Sequence, residues 1–214
     1  MQFKDVLLSR HSVRYFEATP VAEAILRDII DEATRAPSWV NAHQQWHVWA
    51  AEGKTLESIR TEFYERVNAG LEGKSDIPPS HRDAFSPIGR ENMQQFSKAR
   101  EDAGLASIKL EWQSKLFYAP VMLFLTLPKT YTPYMVFDLG AFSQTLMLAA
   151  ADRGIGSLVA WNPVKYPDLI RKYMPIPPEE AIAIAIALGY EKTHPLNAFR
   201  STRQGVEQIL NIVR

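Results

Sequence analysis

Apolar residues recur at helical spacing early in the chain and gather into continuous runs after residue 118. Phe3, Val6 and Leu7 fall on one helical face, so the spacing predicts a short helix over residues 2–9. Thr19-Pro20 predicts the start of a second helix, a capping hydroxyl followed by proline in the first turn. Val21, Ile25, Ile29 and Ala33 give that helix its buried stripe, and Pro37 lies beyond its end. Residues 46–51, Trp-His-Val-Trp-Ala-Ala, read as a first strand.

Residues 54–118 carry many charges, with Pro78-Pro79 and Pro87 interrupting the pattern. Two amphipathic helices, about 54–69 and 90–116, flank a polar loop there. The segment reads as a helical excursion on the main body. Residues 119–127, APVMLFLTL, predict a strand buried on both faces. Asp138 is expected to cap a helix that runs to Asp152, with Leu139, Phe142, Leu146 and Ala149/Ala150 on its buried side and Gly154 past its end. A strand over 156–161 and a short helix over 166–173 come next. Residues 181–188 alternate, Ile182, Ile184 and Ile186 on one face and alanines on the other. The order of elements predicts an α+β layer fold, one domain over 1–214 with its excursion at 54–118.

Charge narrows the partners. Lys+Arg and Asp+Glu both number 24, so no global field draws the chain to nucleic acid or to an anionic membrane. With no cysteine, disulfides, thiolate nucleophiles and cysteine zinc sites are excluded. The longest uniformly apolar runs, 119–127 and 181–188, are short of a membrane span, and MQFKDVLLSRHS reads as an amphipathic helix. A soluble, cytoplasmic protein with no membrane partner is expected.

Three familiar motifs nearly form, and each lacks a part. In the stretch Asn68 to Ser75, Asn68 stands where a phosphate loop has its first glycine. His43 and His47 have the spacing of a zinc-protease helix, but Gln44 replaces the general base and the segment reads as strand. Gly154-Ile155-Gly156 opens like a dinucleotide fingerprint, but Val159 holds the third glycine's place. No metal site is expected.

Other residues carry more. In an extended segment Arg10, Ser12 and Arg14 project to one side, two guanidinium forks and a hydroxyl suited to a phosphate dianion. The same spacing suits a solvated charged loop. Pro37, Ser38, Trp39 and Asn41 lie in a polar, aromatic loop before a strand, a setting for a planar heterocycle or simply for helix termination. Asn197 to Arg203 again places two arginines beside hydroxyls, and by itself reads as a surface loop.

Together these segments resemble the nitroreductase family of FMN enzymes, over nearly the whole chain. The likeness rests on R-H-S-V-R-Y-F at 10–16, A-P-S-W-V-N at 36–41 leading to Trp46, and D-L-G-A-F at 138–142. It continues in G-I-G-S at 154–157, A-L-G-Y at 187–190, and Arg203 four residues before Glu207. One more residue separates Asn41 from Trp46 than the family pattern has, and Gln45 replaces its proline. Either His43 or Gln44 then stands for the family's glutamine.

The resemblance implies a central mixed or antiparallel sheet flanked by helices, and a homodimer with FMN at its interface. Arg10, His11, Ser12 and Arg14 would hold the ribityl phosphate and nearby flavin edge. Arg203, helped by Arg200, would complete the phosphate site. Pro37, Ser38, Trp39 and Asn41 would line the ring from the other subunit. Ala160, Trp161 and Asn162 would run beside the N5 edge through backbone groups, and 206–213 would be a tail crossing to the partner. The implied activity is hydride transfer from NADH or NADPH through the flavin to a nitroaromatic, quinone or similar acceptor, in ping-pong fashion. No acid–base or nucleophile constellation is then needed, since the flavin carries the redox chemistry. Trp39, Trp161 and Phe199 are candidate walls for the acceptor, or ordinary core and interface aromatics. Dehalogenation, dehydrogenation or flavin breakdown on the same fold is the alternative activity. A phosphate- or nucleic-acid-binding module is the non-enzymatic one.

Overall fold

The apolar run that begins at Ala119 becomes one of two central strands of a four-stranded sheet. A computed structural model of the chain describes residues 2–42, 45–106, 108 and 111–214. Its helices and strands are, in chain order, α1 (Phe3–Ser9), α2 (Glu23–Ala33), β1 (His47–Glu52), α3 (Gly53–Asn68), α4 (Pro87–Asp102), α5 (Glu111–Ser114), β2 (Val121–Pro128), α6 (Pro133–Asp152), β3 (Gly156–Ala160), α7 (Pro167–Tyr173), β4 (Glu180–Gly189) and α8 (Pro195–Ala198). The strand order is β1-β2-β4-β3, and every neighbouring pair is antiparallel.

Helices cover both faces of this sheet, which is why β2 has no polar side. Met122 and Phe124 point to one face, where Leu56, Ile59 and Phe63 of α3 and Leu169 and Ile170 of α7 pack. Val121, Leu123, Leu125 and Leu127 point to the other, against Leu26 and Ile29 of α2 and Leu139, Phe142 and Leu146 of α6. By length and composition α6 is apolar enough to cross a membrane. Here that composition serves the core.

The alternation expected in β4 breaks. Leu125 pairs with Ile184 but Thr126 pairs with Ile182, so Ala183 is an extra residue. A one-residue insertion moves the remainder of a strand to the opposite face. Ile182 therefore joins Ala185 and Ala187 on the α3 side, while Ile186 and Leu188 face α6.

Two helix starts also move. Thr19-Pro20 does not open α2, which begins at Glu23 without a side-chain cap. The residues before it are extended along the end of β4: Phe16 bridges Glu191, and the Glu17 amide donates to the Tyr190 carbonyl at 2.9 Å. The hydroxyl–proline signal operates instead at Thr132-Pro133, where Thr132 Oγ1 accepts from the Met135 amide. Asp138 is consequently inside α6 and not its cap. The helix expected over 90–116 is two, α4 and α5, the first ending at Asp102 just before the left-handed Gly104 (φ 71°). Pro87, expected as a breaker, sits in the first turn of α4 behind the Ser86 cap. Of the excursion, α3 belongs to the core and α4 has no buried residue. In α1, Val6 is buried while Phe3 and Leu7 remain exposed.

Charged groups join α3 to α7. Glu62 accepts from Arg66 at 2.9 Å, Lys172 at 2.5 Å and the Tyr173 hydroxyl at 3.0 Å. The Lys172 bond, with those from Tyr173 and Arg66, holds the Glu62 carboxyl below the usual carboxylate range. A carboxyl depressed in the folded state stabilises above its unfolded pKa, and that contribution is lost as pH falls. Glu62→Ala should therefore lower the melting temperature at about pH 7, and the gap from wild type should narrow as pH falls toward about 3. Calorimetric melts across that range check it; a gap independent of pH is the contrary result.

Candidate functional site

The Arg10–Arg14 segment lies along the outer edge of the sheet. Ser12 bridges Ser157 of β3 in parallel, and the Val13 amide donates to the Ser157 carbonyl at 2.9 Å. The approach requires Gly156. A Cβ there would lie 2.7 Å from Val13 Cγ2. Val13 turns inward and is 1% exposed, leaving its neighbours half-buried on the other side. His11 ties the segment down from both ring nitrogens, Nδ1 to the Ser9 carbonyl at 2.8 Å and Nε2 to Glu191 at 3.1 Å.

A second segment closes over the first through Asn197, 1% exposed. Its Oδ1 accepts from the amides of Arg14 (2.6 Å) and Tyr15 (3.2 Å). Its Nδ2 donates to the carbonyls of Tyr15 (2.7 Å) and Lys192 (2.9 Å). Every polar position of this side chain therefore welds the two loops. Arg200 donates to the carbonyls of Asn197 and Phe199, so it serves its own loop. Arg203 donates to Ser201 Oγ at 2.6 Å and the Thr202 carbonyl at 2.8 Å.

The arginines of this corner crowd one another. Burial lowers the Arg10 pKa, and the nearby Arg203 charge lowers it further. Burial lowers that of Arg14, with Arg100 of α4 adding to it. Among the described residues no carboxylate pairs with Arg10, Arg14, Arg100 or Arg203. Like charges drawn together and partly desolvated call for an anion. The donor set, guanidinium groups with the Ser12 hydroxyl nearby, fits a phosphate dianion.

The Pro37–Asn41 loop is elsewhere. Its Trp39 amide donates to Asp138 Oδ2 at 3.0 Å, and Trp39 stacks on Tyr134 with ring centroids 5.3 Å apart. Pro37, Ser38, Trp39, Pro133, Tyr134 and Phe137 line a cleft of about 340 Å³, and Asp138 is the one charged side chain among its described residues. The Arg10 pocket instead touches Ala151 and Gly154. Asp138 and Ala151 are 13 residues apart on α6, about 20 Å of helix. One chain does not bring these two groups together. His43 and Gln44 lie outside the described residues.

Ala160 and Trp161 pack on the core at the far end of β3, and the Trp161 indole donates to Ser75 Oγ at 3.3 Å. Asn162 opens the 3-10 turn that comes next. Phe199 meets Phe96 of α4 edge-on at 5.7 Å. The polar near-motifs have structural partners: His47 Nδ1 meets Glu180 at 2.7 Å, and Gly73 packs against Lys165. Reasoning from sequence missed Arg100, and it gave Asn197 and Asp138 other roles than the ones they have, because each of the three acts on a residue distant along the chain.

Residues 7–190 match the model of the nitroreductase family. The chain is 27% identical to the 4-nitrobenzoate reductase of Pseudomonas putida, over 94% of this chain and 91% of that one. It is 25% identical to the 4-nitrobenzoate reductase of Nocardioides sp. (strain LMS-CY), over 96% and 87% respectively. In fold it is similar to the FMN-dependent nitroreductase NfnB from Mycobacterium smegmatis in complex with NADPH, with a TM-score of 0.90 at 24% identity, covering 100% of this chain and 99% of that one. A nitroreductase with bound FMN from Desulfitobacterium hafniense aligns at a TM-score of 0.66 and 20% identity, over 100% and 99%.

The arginine corner should bind inorganic phosphate. Saturating phosphate should raise the melting temperature of the chain without cofactor, equivalent to about 2.7 kcal/mol at 100 times the dissociation constant. Arg10→Ala and Arg203→Ala should each lose most of that rise. An undiminished rise in both variants would place the anion elsewhere.

Proposed function

Because the chain belongs to the nitroreductase family, we propose that it is an FMN-dependent oxidoreductase passing hydride from NADH or NADPH to a nitroaromatic, quinone or similar electron-poor acceptor. The observation that carries this reading is the group of partly desolvated arginines with no carboxylate partner among the described residues. FMN, when bound, supplies the two-electron chemistry. The nitroaromatic names of the relatives support the acceptor class.

Arg10 and Arg203 take the ribityl phosphate, and their mutual repulsion becomes attraction to a shared dianion. Ser12 and Arg14 face the adjoining edge of the cofactor, held there by Ser157 and Asn197. His11 and Arg200 act mainly by fixing the loops that carry these groups. Ala160, Trp161 and Asn162 offer backbone groups at the other end of β3. Pro37, Ser38, Trp39 and Asn41 line the ring of the partner's cofactor, which agrees with their distance from Arg10 within one chain. A homodimer accounts for the exposed Phe3, Leu8, Val40, Phe137, Ile209 and Ile212, with the last two on a tail that crosses to the partner. Reductant and acceptor occupy the same place in turn, giving ping-pong kinetics.

The purified protein should be yellow, and NADH or NADPH should bleach it anaerobically until a nitroaromatic restores the colour. A protein that cannot be reconstituted with FMN would contradict the proposal. Arg10→Ala and Arg14→Ala should each weaken FMN binding by about 1.5–3 kcal/mol, the worth of a hydrogen bond to a charged group. Fluorescence titration of the cofactor-free protein measures this.

A further inference from the structure

Asp138 departs from the pattern that builds α6. Its sequence neighbours are Val136, Phe137 and Leu139, and its own side chain is 4% exposed. A carboxylate at such a place is costly unless something nearby needs it. It meets the Trp39 amide, 99 residues away along the chain, which donates to Oδ2 at 3.0 Å. That amide stands where the backbone leaves an extended Ser38 (φ −135°) for two left-handed residues, Val40 (φ 45°) and Asn41 (φ 56°). A β-branched residue in the left-handed region is strained, and such strain persists only where the surroundings over-determine it. The turn's own bonds, Asn41 amide to Ser38 carbonyl at 3.2 Å and Ala42 amide to Trp39 carbonyl at 2.9 Å, close it locally. They do not attach it to anything rigid. The Asp138 bond does, aided by the stacking of Trp39 on Tyr134 of the same helix.

We propose that Asp138 is a positioning residue which, through the Trp39 amide, locks the strained turn 38–41 onto α6 and so sets Trp39 and Asn41 against the cofactor. This rests on the reading that the 37–41 loop lines the flavin. The role needs an acceptor oxygen and not a negative charge. An asparagine side chain retains that oxygen in nearly the same shape. Leucine removes it, and removes a buried charge with it.

The test uses the full chain with three readouts: FMN affinity of the cofactor-free protein, KM for a nitroaromatic, and melting temperature. Asp138→Leu should weaken FMN binding and raise KM by about tenfold, the effect of losing one hydrogen bond. Its melting temperature should stay at or above wild type. Asp138→Asn should remain within about threefold of wild type on both counts. Val40→Gly, which tolerates φ 45° without strain, should restore much of the loss in Asp138→Leu. Unchanged FMN binding in Asp138→Leu overturns the proposal, as does Asp138→Asn failing as badly as leucine. Loss of binding that tracks a matching loss of melting temperature in both variants also overturns it. A wild-type chain without FMN affinity removes the underlying reading itself. Wild type that binds FMN, with Arg10→Ala impaired and Asp138→Leu normal, removes this inference alone.

Discussion

Burial of both sheet faces is the constraint on which the rest of the architecture depends. An antiparallel sheet usually leaves one face to water. Here α2 and α6 cover one side and α3 and α7 the other. Polar function is thereby pushed to the edges and ends of the strands. β3 is an edge strand, and its backbone is what the Arg10–Arg14 segment pairs with. Gly156 permits the pairing, since any side chain there would collide with Val13.

Once that segment is docked, its charges have little freedom. Asn197 holds the Arg14 amide and so places the 197–203 loop over the turn. Arg203 then stands near Arg10, and the edge-on contact of Phe96 with Phe199 lays α4 across the same loop, with Arg100 one turn further on. Arginines from three distant stretches of chain thus come near one another, Arg10 beside Arg203 and Arg14 beside Arg100, and the frame around them opposes their repulsion. The Pro37–Asn41 loop is likewise a strained turn, held by a buried carboxylate.

The excursion divides into parts with different physical roles. α3 contributes Leu56, Ile59 and Phe63 to the core and cannot be separated from the sheet it covers. α4 buries nothing within the chain, though it carries Ile88 exposed and Phe96 against the C-terminal loop. Between them Ser75 and Asp76 anchor the connecting segment, through the Trp161 indole, Arg171 and the Ile182 amide.

Periodicity and local chemistry determined the element types and the α+β order, because an apolar run such as 121–127 or a helical stripe such as Ile29 and Ala33 is recorded locally. The family signature was legible for the same reason: each of its motifs is a short stretch of sequence. Other features depended on contacts between distant segments. The bulge at Ala183 arises from the register of β4 on β2. The late start of α2 arises from the pairing of Phe16 with Glu191. Asp138 read as a cap because an acid before an apolar stretch is a helix-start signal, and only packing shows that it is buried and faces Trp39. Local order is set by neighbours within a few residues, whereas a buried polar group's partner is set by whichever backbone the fold brings to it.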